Sequence, residues 1–208
     1  MRTAETFGFE LGAHAAVARV TNDGGAVARS WEVRRLGIDD VGLIGRIDRS
    51  EHVEVEYIVV EGELSERAPS MTEIPPWNPI GMEPFSVLAQ VAFCEPLVAR
   101  GAVLLGAFEG DGVLGLAVVD GWFEPPLAWL PFLHVGRPHR RRGVASSLWD
   151  AAVELAAAAG ADSMYVSAVR TGSAVGFYLS RGCVLADPVH PRLFAKEPDD
   201  IHLLFSLG

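Results

Sequence analysis

The sequence predicts an α/β sandwich: a mixed, mostly antiparallel central sheet with helices packed against it. Three observations carry this. Two apolar runs flank Glu109-Gly110-Asp111-Gly112, a tight-turn signature that folds "AVLLGAFEGDGVLGLAVVD" into a hairpin. Residues 127–168 then read strand, loop, helix, strand, and a crossover of that kind makes its two strands parallel. A short helix and a last apolar strand follow, which return the chain to the same sheet.

In chain order, residues 1–30 form an N-terminal extension of Ala, Gly and small polar residues, either a hairpin around Asn22-Asp23-Gly24-Gly25 or a loose tail. The domain itself spans 31–208. "WEVRRL" reads as a strand, and Ile38-Asp39-Asp40 starts a helix through "VGLIGRIDRSE", with acids in its first turn. "VEVEYIVV" is the next strand, and the Pro-rich "RAPSMTEIPPWNPIGMEP" is a loop or lid. A helix covers Phe85–Arg100 and is kinked near Pro96. After the hairpin, "LAWLPFLHV" is a strand, though Pro131 removes an N–H from what should be a central position. A helix extends from Gly143 to about Ala159, because Val144, Leu148, Ala152, Leu155 and Ala159 recur at helical spacing as one apolar stripe. Gly160 suits its C-cap. "DSMYVSAV" is a strand, "SAVGFYLSRG" a short helix ending at Gly182, and "IHLLFSL" the last strand.

Composition bounds the function. Half of the 208 residues are hydrophobic and 21% are charged, which fits a folded domain and not a disordered chain. Sixteen arginines and one lysine face 27 acids, a net charge of −10. That field repels nucleic acid everywhere except at one run, "RPHRRRG", whereas a duplex binder needs several basic clusters on one face. Cys94 and Cys183 lie far apart in apolar contexts and read as buried thiols of a reducing compartment, neither a metal knuckle nor a disulfide framework. No apolar run approaches the ~18 residues of a membrane span. The start "MRTAETFGFELGAH" lacks the basic and continuous apolar parts of a signal peptide, so a cytoplasmic location is expected.

The basic run has a physical use where it stands. The first amides of the 143–159 helix have no intrahelical partner and sit at the positive end of the helix dipole, which together make an anion seat. Gly143 removes the Cβ that would block close approach, and Ala145 keeps the second crowded position small. Arg140, Arg141 and Arg142 add charge-assisted bonds to outer phosphate oxygens. So Arg140-Arg141-Arg142-Gly143-Val144-Ala145 reads as a pyrophosphate loop. A P-loop and a dinucleotide-binding G-x-G-x-x-G are both missing, which argues against an NTPase and a Rossmann enzyme.

Strand, "VGRPHRRRGVA", Ala/Leu helix, strand and a helix holding "FYLSRGC" together resemble the GNAT superfamily of N-acetyltransferases. The resemblance covers roughly 31–208, is strongest at 127–183, and leaves residues 1–30 outside. It implies a GNAT-like fold and a loop Q/R-x-x-G-x-G/A that binds the pyrophosphate of acetyl-CoA. It also implies pantetheine contacts through the backbone of Leu133, His134 and Val135. The later family pattern falls on Thr171, Ala174, Tyr178, Gly182 and Cys183, with Thr in place of Asn and Cys in place of Phe. Tyr178 thereby becomes the acid that protonates the departing thiolate, and Thr171 a cofactor contact. The family's corresponding strand carries a bulge near the thioester, and Pro131 marks its place here.

Acetyl transfer to an amine needs a deprotonated amine, a polarised carbonyl and a protonated leaving thiolate. Direct attack requires no covalent enzyme intermediate, because proximity does much of the work and CoA supplies the activated group. Many members carry a glutamate base on the strand before the loop; here Trp129 stands nearest to that place. Asp120, Glu124, His134 and a water chain therefore stay open as the base. His139 reads as an exposed loop residue, and Trp77 either as a lid or as a loop anchor. Residues 31–80 hold 11 acids against 5 arginines, which reads as a solvated acidic face or as a rim that attracts an amine cation. The expected protein is an acetyl-CoA-dependent N-acetyltransferase acting on a small-molecule amine or a protein or peptide amine. No metal, nucleic acid or membrane is expected as a partner, and a homodimer is compatible with the resemblance. The alternatives are a non-catalytic acyl-CoA-binding module that keeps the pyrophosphate loop, and an RNA-binding protein that uses the 137–142 run.

Overall fold

The computed structural model describes residues 30–208; the expected hairpin or tail at 1–30 lies outside them except for Ser30. The elements in order are β1 (Glu32–Leu36), a 3-10 helix (Ile38–Arg46), β2 (Glu51–His52), β3 (Glu56–Val60), β4 (Glu63–Arg67), β5 (Glu73–Ile74) and α1 (Val87–Ala99). There follow β6 (Val103–Glu109), β7 (Gly112–Glu124), β8 (Leu127–Val135), α2 (Val144–Ala158), β9 (Ser163–Ala168), α3 (Gly172–Ser180), β10 (Val184–Leu185), α4 (Pro191–Lys196) and β11 (Ile201–Ser206). Seven strands form one sheet in the order β1-β6-β7-β8-β9-β11-β10. Only β8 and β9 run parallel; the other neighbours are antiparallel.

Both faces of the sheet are covered, so its middle strands are apolar on both sides. Along β7, Ala117 and Val119 turn to the face packed by Leu148, Trp149, Ala152 and Ala156 of α2. Leu116 and Val118 turn to the opposite face, with Val41 and Ile44 of the 3-10 helix, Cys94 and Leu97 of α1, and Leu193 of α4. Fully burying one such leucine or valine stabilises the fold by about 1.5–3 kcal/mol. The stripe expected on α2 thus packs as its spacing requires, with Trp149 added beside Leu148.

Several details differ from the expected elements, among them the short strands β2, β5 and β10. The 38–46 segment is a 3-10 helix and stops at Arg46, since Gly42 and Gly45 weaken a helix of only nine residues. The strand expected from Val53 begins at Glu56 and pairs with β4 in a separate hairpin. Its turn is Glu61-Gly62, both with positive φ (52° and 83°), a geometry that matches the right-handed twist of the strands. The helix α4, with Pro191 in its first turn, was not foreseen.

The feature that positions the site is a fork in the sheet. β8 pairs with β9 only from Leu127↔Ser163 to Leu130↔Val166. On its other side, Val118 faces Phe132 while Asp120 faces Trp129, so the single residue Val119 opposes Leu130 and Pro131. That is a bulge, located where Pro131 withholds an N–H. Beyond it β8 stays with β7, while Ser167 and Ala168 of β9 continue with β11. The edge of β8 from Pro131 to Val135 that would face β9 has no strand partner among the described residues.

Candidate active site

A groove of about 1140 Å³ occupies this fork. One wall is Leu130–Val135, the other Ser167–Val169 with the start of α3, and the N-terminus of α2 closes one end. Ser147 N donates to Gly143 O at 3.1 Å, the first bond of α2, so the amides of Val144, Ala145 and Ser146 precede any intrahelical acceptor. Gly143 is the N-cap with φ 89°, a left-handed conformation that glycine adopts without strain. A Cβ there would stand 3.8 Å from Trp31 on one side, and the groove lies on the other.

The four arginines of the basic run divide. Arg140 turns inward: its Nε donates to the Val135 carbonyl (3.1 Å), its Nη2 to the Arg49 carbonyl (3.0 Å), and its Nη1 pairs with Glu51 (3.4 Å). Arg137 reaches Ser50, and its amide donates to the Asp48 carbonyl. Arg142 pairs with Glu109 at 3.1 Å and lies over the Trp31 ring. Arg141 alone is exposed at the groove with no ion pair among the described residues, on a backbone with φ 61°. Three of the four therefore fasten the loop to segments far away in sequence, and Arg141 with the helix amides makes the positive end.

Leu133 and His134 line the open edge of β8. The His134 ring packs on Trp77 (5.1 Å) and Phe132 (4.7 Å), and burial, with Arg49 and Arg140 nearby, pushes its pKa down to about 3. It is a neutral imidazole at physiological pH. Trp77 is 7% exposed, part of the core, and so an anchor of its loop. Thr171 caps α3, accepting from Ala174 N at 3.4 Å, and its hydroxyl also meets Ser173. Of the other base candidates, neither Asp120 nor Glu124 lines the groove. Asp120 faces Arg100 at 4.0 Å, and Glu124 is held by His190 and Arg192. Trp129 is buried among Phe93 and Phe123.

Tyr178 lies between the groove and Trp149. It is 7% exposed, and its hydroxyl has no hydrogen-bond partner among the described residues. Burial, then Cys183, Asp200 and Glu197, push its pKa upward, so it stays a phenol. Asp200 and Glu197, on the loop between α4 and β11, line the same groove. Burial and the neighbouring Glu197 push Asp200 up to about 7, against the pull of Arg170. Burial also raises Glu197, opposed by the Ser167 hydroxyl and Lys196. His202 fixes this loop, its ring within 3.0 Å of the Glu197 carbonyl and 3.4 Å of Ser167. Sequence reasoning missed both acids. Their only signal was "KEPDD" directly before a strand, which reads as an ordinary polar turn.

Of the two readings of the acidic 31–80 segment, a rim at the groove does not form. The one acid of that segment that lines it, Glu51, is neutralised by Arg140, and the segment also supplies Arg49. No cluster of metal-binding side chains is present among the described residues, nor any helix long and apolar enough to cross a membrane.

Comparison with known proteins gives the same picture. No curated protein sequence matches the chain. Among solved structures, nourseothricin acetyltransferase superposes with a TM-score of 0.59 at 16% identity, over 86% of this chain and 100% of that one. A Bacillus anthracis protein described as a streptothricin acetyltransferase, in complex with acetyl coenzyme A, gives 0.62 at 16% identity, over 85% and 96%. The PaiA N-acetyltransferase of Thermoplasma acidophilum, with coenzyme A, gives 0.55 at 14% identity, over 86% and 99%. These likenesses establish the fold. A profile of the acetyltransferase (GNAT) family matches residues 68–183, more than half of the chain, spanning the β6–β7 hairpin, the fork and α2. The chain belongs to the acetyltransferase (GNAT) family.

Proposed function

We propose that the protein is an acetyl-CoA-dependent N-acetyltransferase that moves an acetyl group directly to a primary amine. The observation that carries this reading is the fork: an unpaired strand edge, free helix amides at Gly143 and an unpartnered phenol at Tyr178 that line one groove. The groove fits the cofactor. Val144, Ala145 and Ser146 amides with Arg141 would hold the pyrophosphate, and the edge of Leu133–Val135 the pantetheine. Arg140 and Arg142 shape that loop, and Thr171 sets the start of α3. Acetyl-CoA supplies an acetyl group activated as a thioester.

The residues divide the proton work. Asp200, poised near neutrality, takes one proton from the acceptor ammonium, leaving a nitrogen lone pair. The N–C bond forms and the C–S bond breaks. The Tyr178 hydroxyl gives its proton to the departing sulfur and regains one from the nitrogen, so an amide, a thiol and one released proton balance the reaction. His134, held neutral, positions the strand and is too weakly basic to serve as the base.

Thiol release with a panel of primary amines, beside calorimetric titration with acetyl-CoA, tests this. Acetyl-CoA binding and amine-dependent thiol release are expected. Gly143→Asp, folded by circular dichroism, is expected to lose acetyl-CoA binding, since it sets a carboxylate on the anion seat. Unchanged affinity in that variant would remove the pyrophosphate assignment. Binding by the wild type without any thiol release would favour the acyl-CoA-binding module.

A further inference from the structure

The side of the groove next to α1 carries a cation that no carboxylate among the described residues bonds directly. Arg49 is half-buried, and its guanidinium lies 4.5 Å from the Trp77 ring centroid and 4.7 Å from that of Phe85. The two rings fix its position, and both line the groove with it. No acceptor among the described residues is within hydrogen-bonding distance of this guanidinium. Glu51 favours the Arg49 charge from a distance but bonds Arg140, which adds a second positive charge close by. The His134 ring beneath Trp77 is neutral. Burial works against the charge of Arg49, lowering its pKa from the ordinary value. A guanidinium offers five donors in a planar fork that matches a carboxylate in two parallel bonds, and a partly desolvated site strengthens such a pair. Glu197 and Asp200 line the same groove and suit an ammonium, with Lys196 beside Glu197.

We propose that the acceptor is an amine that also bears a carboxylate, held by Arg49 between Trp77 and Phe85 while its amine faces Asp200. This rests on the N-acetyltransferase reading above. It narrows the acceptor from primary amines in general to amino-acid-like compounds, and it disfavours a protein or peptide N-terminus, whose α-carboxylate is consumed in the peptide bond. The pair is one of recognition only; Arg49 is a specificity residue and takes no part in the proton transfers.

The test compares matched probes: free α- and ω-amino acids, each beside the same compound with its carboxylate converted to an amide. Thiol release is followed for the wild type, Arg49→Gln and Arg49→Lys, with acetyl-CoA affinity measured by calorimetry for each. The wild type is expected to favour the free acid at least ~10-fold in kcat/KM, as a lost charge-assisted bidentate contact implies. Arg49→Gln is expected to raise KM for the acid by ~10–100-fold with kcat nearly constant, and to leave the amide unaffected, because uniform binding is what is removed. Arg49→Lys keeps the charge without the fork and should fall between. Equal use of acid and amide by the wild type overturns the proposal, as does a preference that survives in Arg49→Gln. Turnover of amines that lack a carboxylate, with every free acid inert, overturns it too while leaving the transferase reading intact. Failure to bind acetyl-CoA at all would instead strike that underlying reading.

Discussion

Glu56 and Asp200 both lie within the field of Arg170, in the β9–α3 connection, yet the fold gives them opposite surroundings. The Glu56 carboxylate is 7% exposed and fully occupied: Arg67 Nη2 donates at 3.0 Å, Ser70 N at 2.7 Å, and Arg170 Nε lies at 3.2 Å. Those donors hold its pKa down to about 2. Asp200 has burial, a second acid beside it and only the more distant pull of Arg170, so its pKa moves up to about 7. Glu56 also bridges to Thr171, which ties the β3–β4 hairpin to the start of α3. A charge that is satisfied by its neighbours holds structure together. A charge left unsatisfied at a groove is available for chemistry, at some expense of stability.

The largest effect that would break this contrast is on turnover. Asp200→Asn is expected to lower kcat by ~10²–10⁴-fold, the usual range for a lost general base, with acetyl-CoA affinity nearly unchanged. Full activity in the variant would return the base to a water chain. Tyr178→Phe removes only a hydroxyl and is expected to lower kcat by ~10²-fold, again without a large change in cofactor affinity. A large loss of affinity would recast Tyr178 as a packing residue.

Next comes stability at the other site. Glu56→Ala is expected to cost about 1–2 kcal/mol, toward the low end because Arg67 and Arg170 are partly exposed and screened. In a domain of this size that lowers Tm by about 2–8 °C, while kcat of the folded variant stays close to wild type. Equal loss of activity and stability would mean that the hairpin shapes the groove and is more than a strut.

The two acids also predict opposite pH behaviour. Glu56 has a folded pKa of about 2 against an ordinary 4.5, so its stabilisation is full above 4.5 and fades as pH falls toward 2. Asp200 is raised from 3.8 to about 7, so its ionisation opposes folding progressively as pH rises through that window. Turnover should therefore fall below an apparent pKa of about 7, and this limb should vanish in Asp200→Asn. The smallest effect is the most diagnostic: Asp200→Asn should raise Tm at pH 8 and leave it unchanged at pH 4. A lower Tm at pH 8 would show that the Asp200 carboxylate is satisfied after all.

The sequence made some of this legible and hid the rest for physical reasons. The β6–β7 hairpin, β8, α2 and β9 follow from local rules: a Gly-rich turn, continuous apolar strands and a helical stripe. Each needs only neighbours within a few residues. Pro131 also pointed correctly to the bulge, since a missing N–H has few homes in a central strand. The turn at Glu61-Gly62 escaped notice because glutamate rarely takes a positive φ. The division of labour among Arg137, Arg140, Arg141 and Arg142 was not legible, because Ser50, Glu51 and Glu109 lie tens of residues away in the chain. Asp200 and Glu197 were hidden for a further reason. An acid becomes a candidate base only when tertiary packing buries it without a partner, and "KEPDD" carries no trace of that.

The fork in the sheet has a consequence for the ligand-free protein. From Leu130 onward the described residues form two half-sheets joined at one end, like the prongs of a tuning fork, with a β8 edge between them that pairs with no strand among these residues. Such an edge invites any extended chain to add itself as a strand. A small molecule that fills the gap closes that opening and braces the prongs against each other. Its occupancy then adds to folding stability as RT ln(1 + [L]/Kd), about 2.7 kcal/mol at a hundredfold excess over Kd. Cellular supply of the ligand would in that way set the protein's lifetime as well as its rate of work.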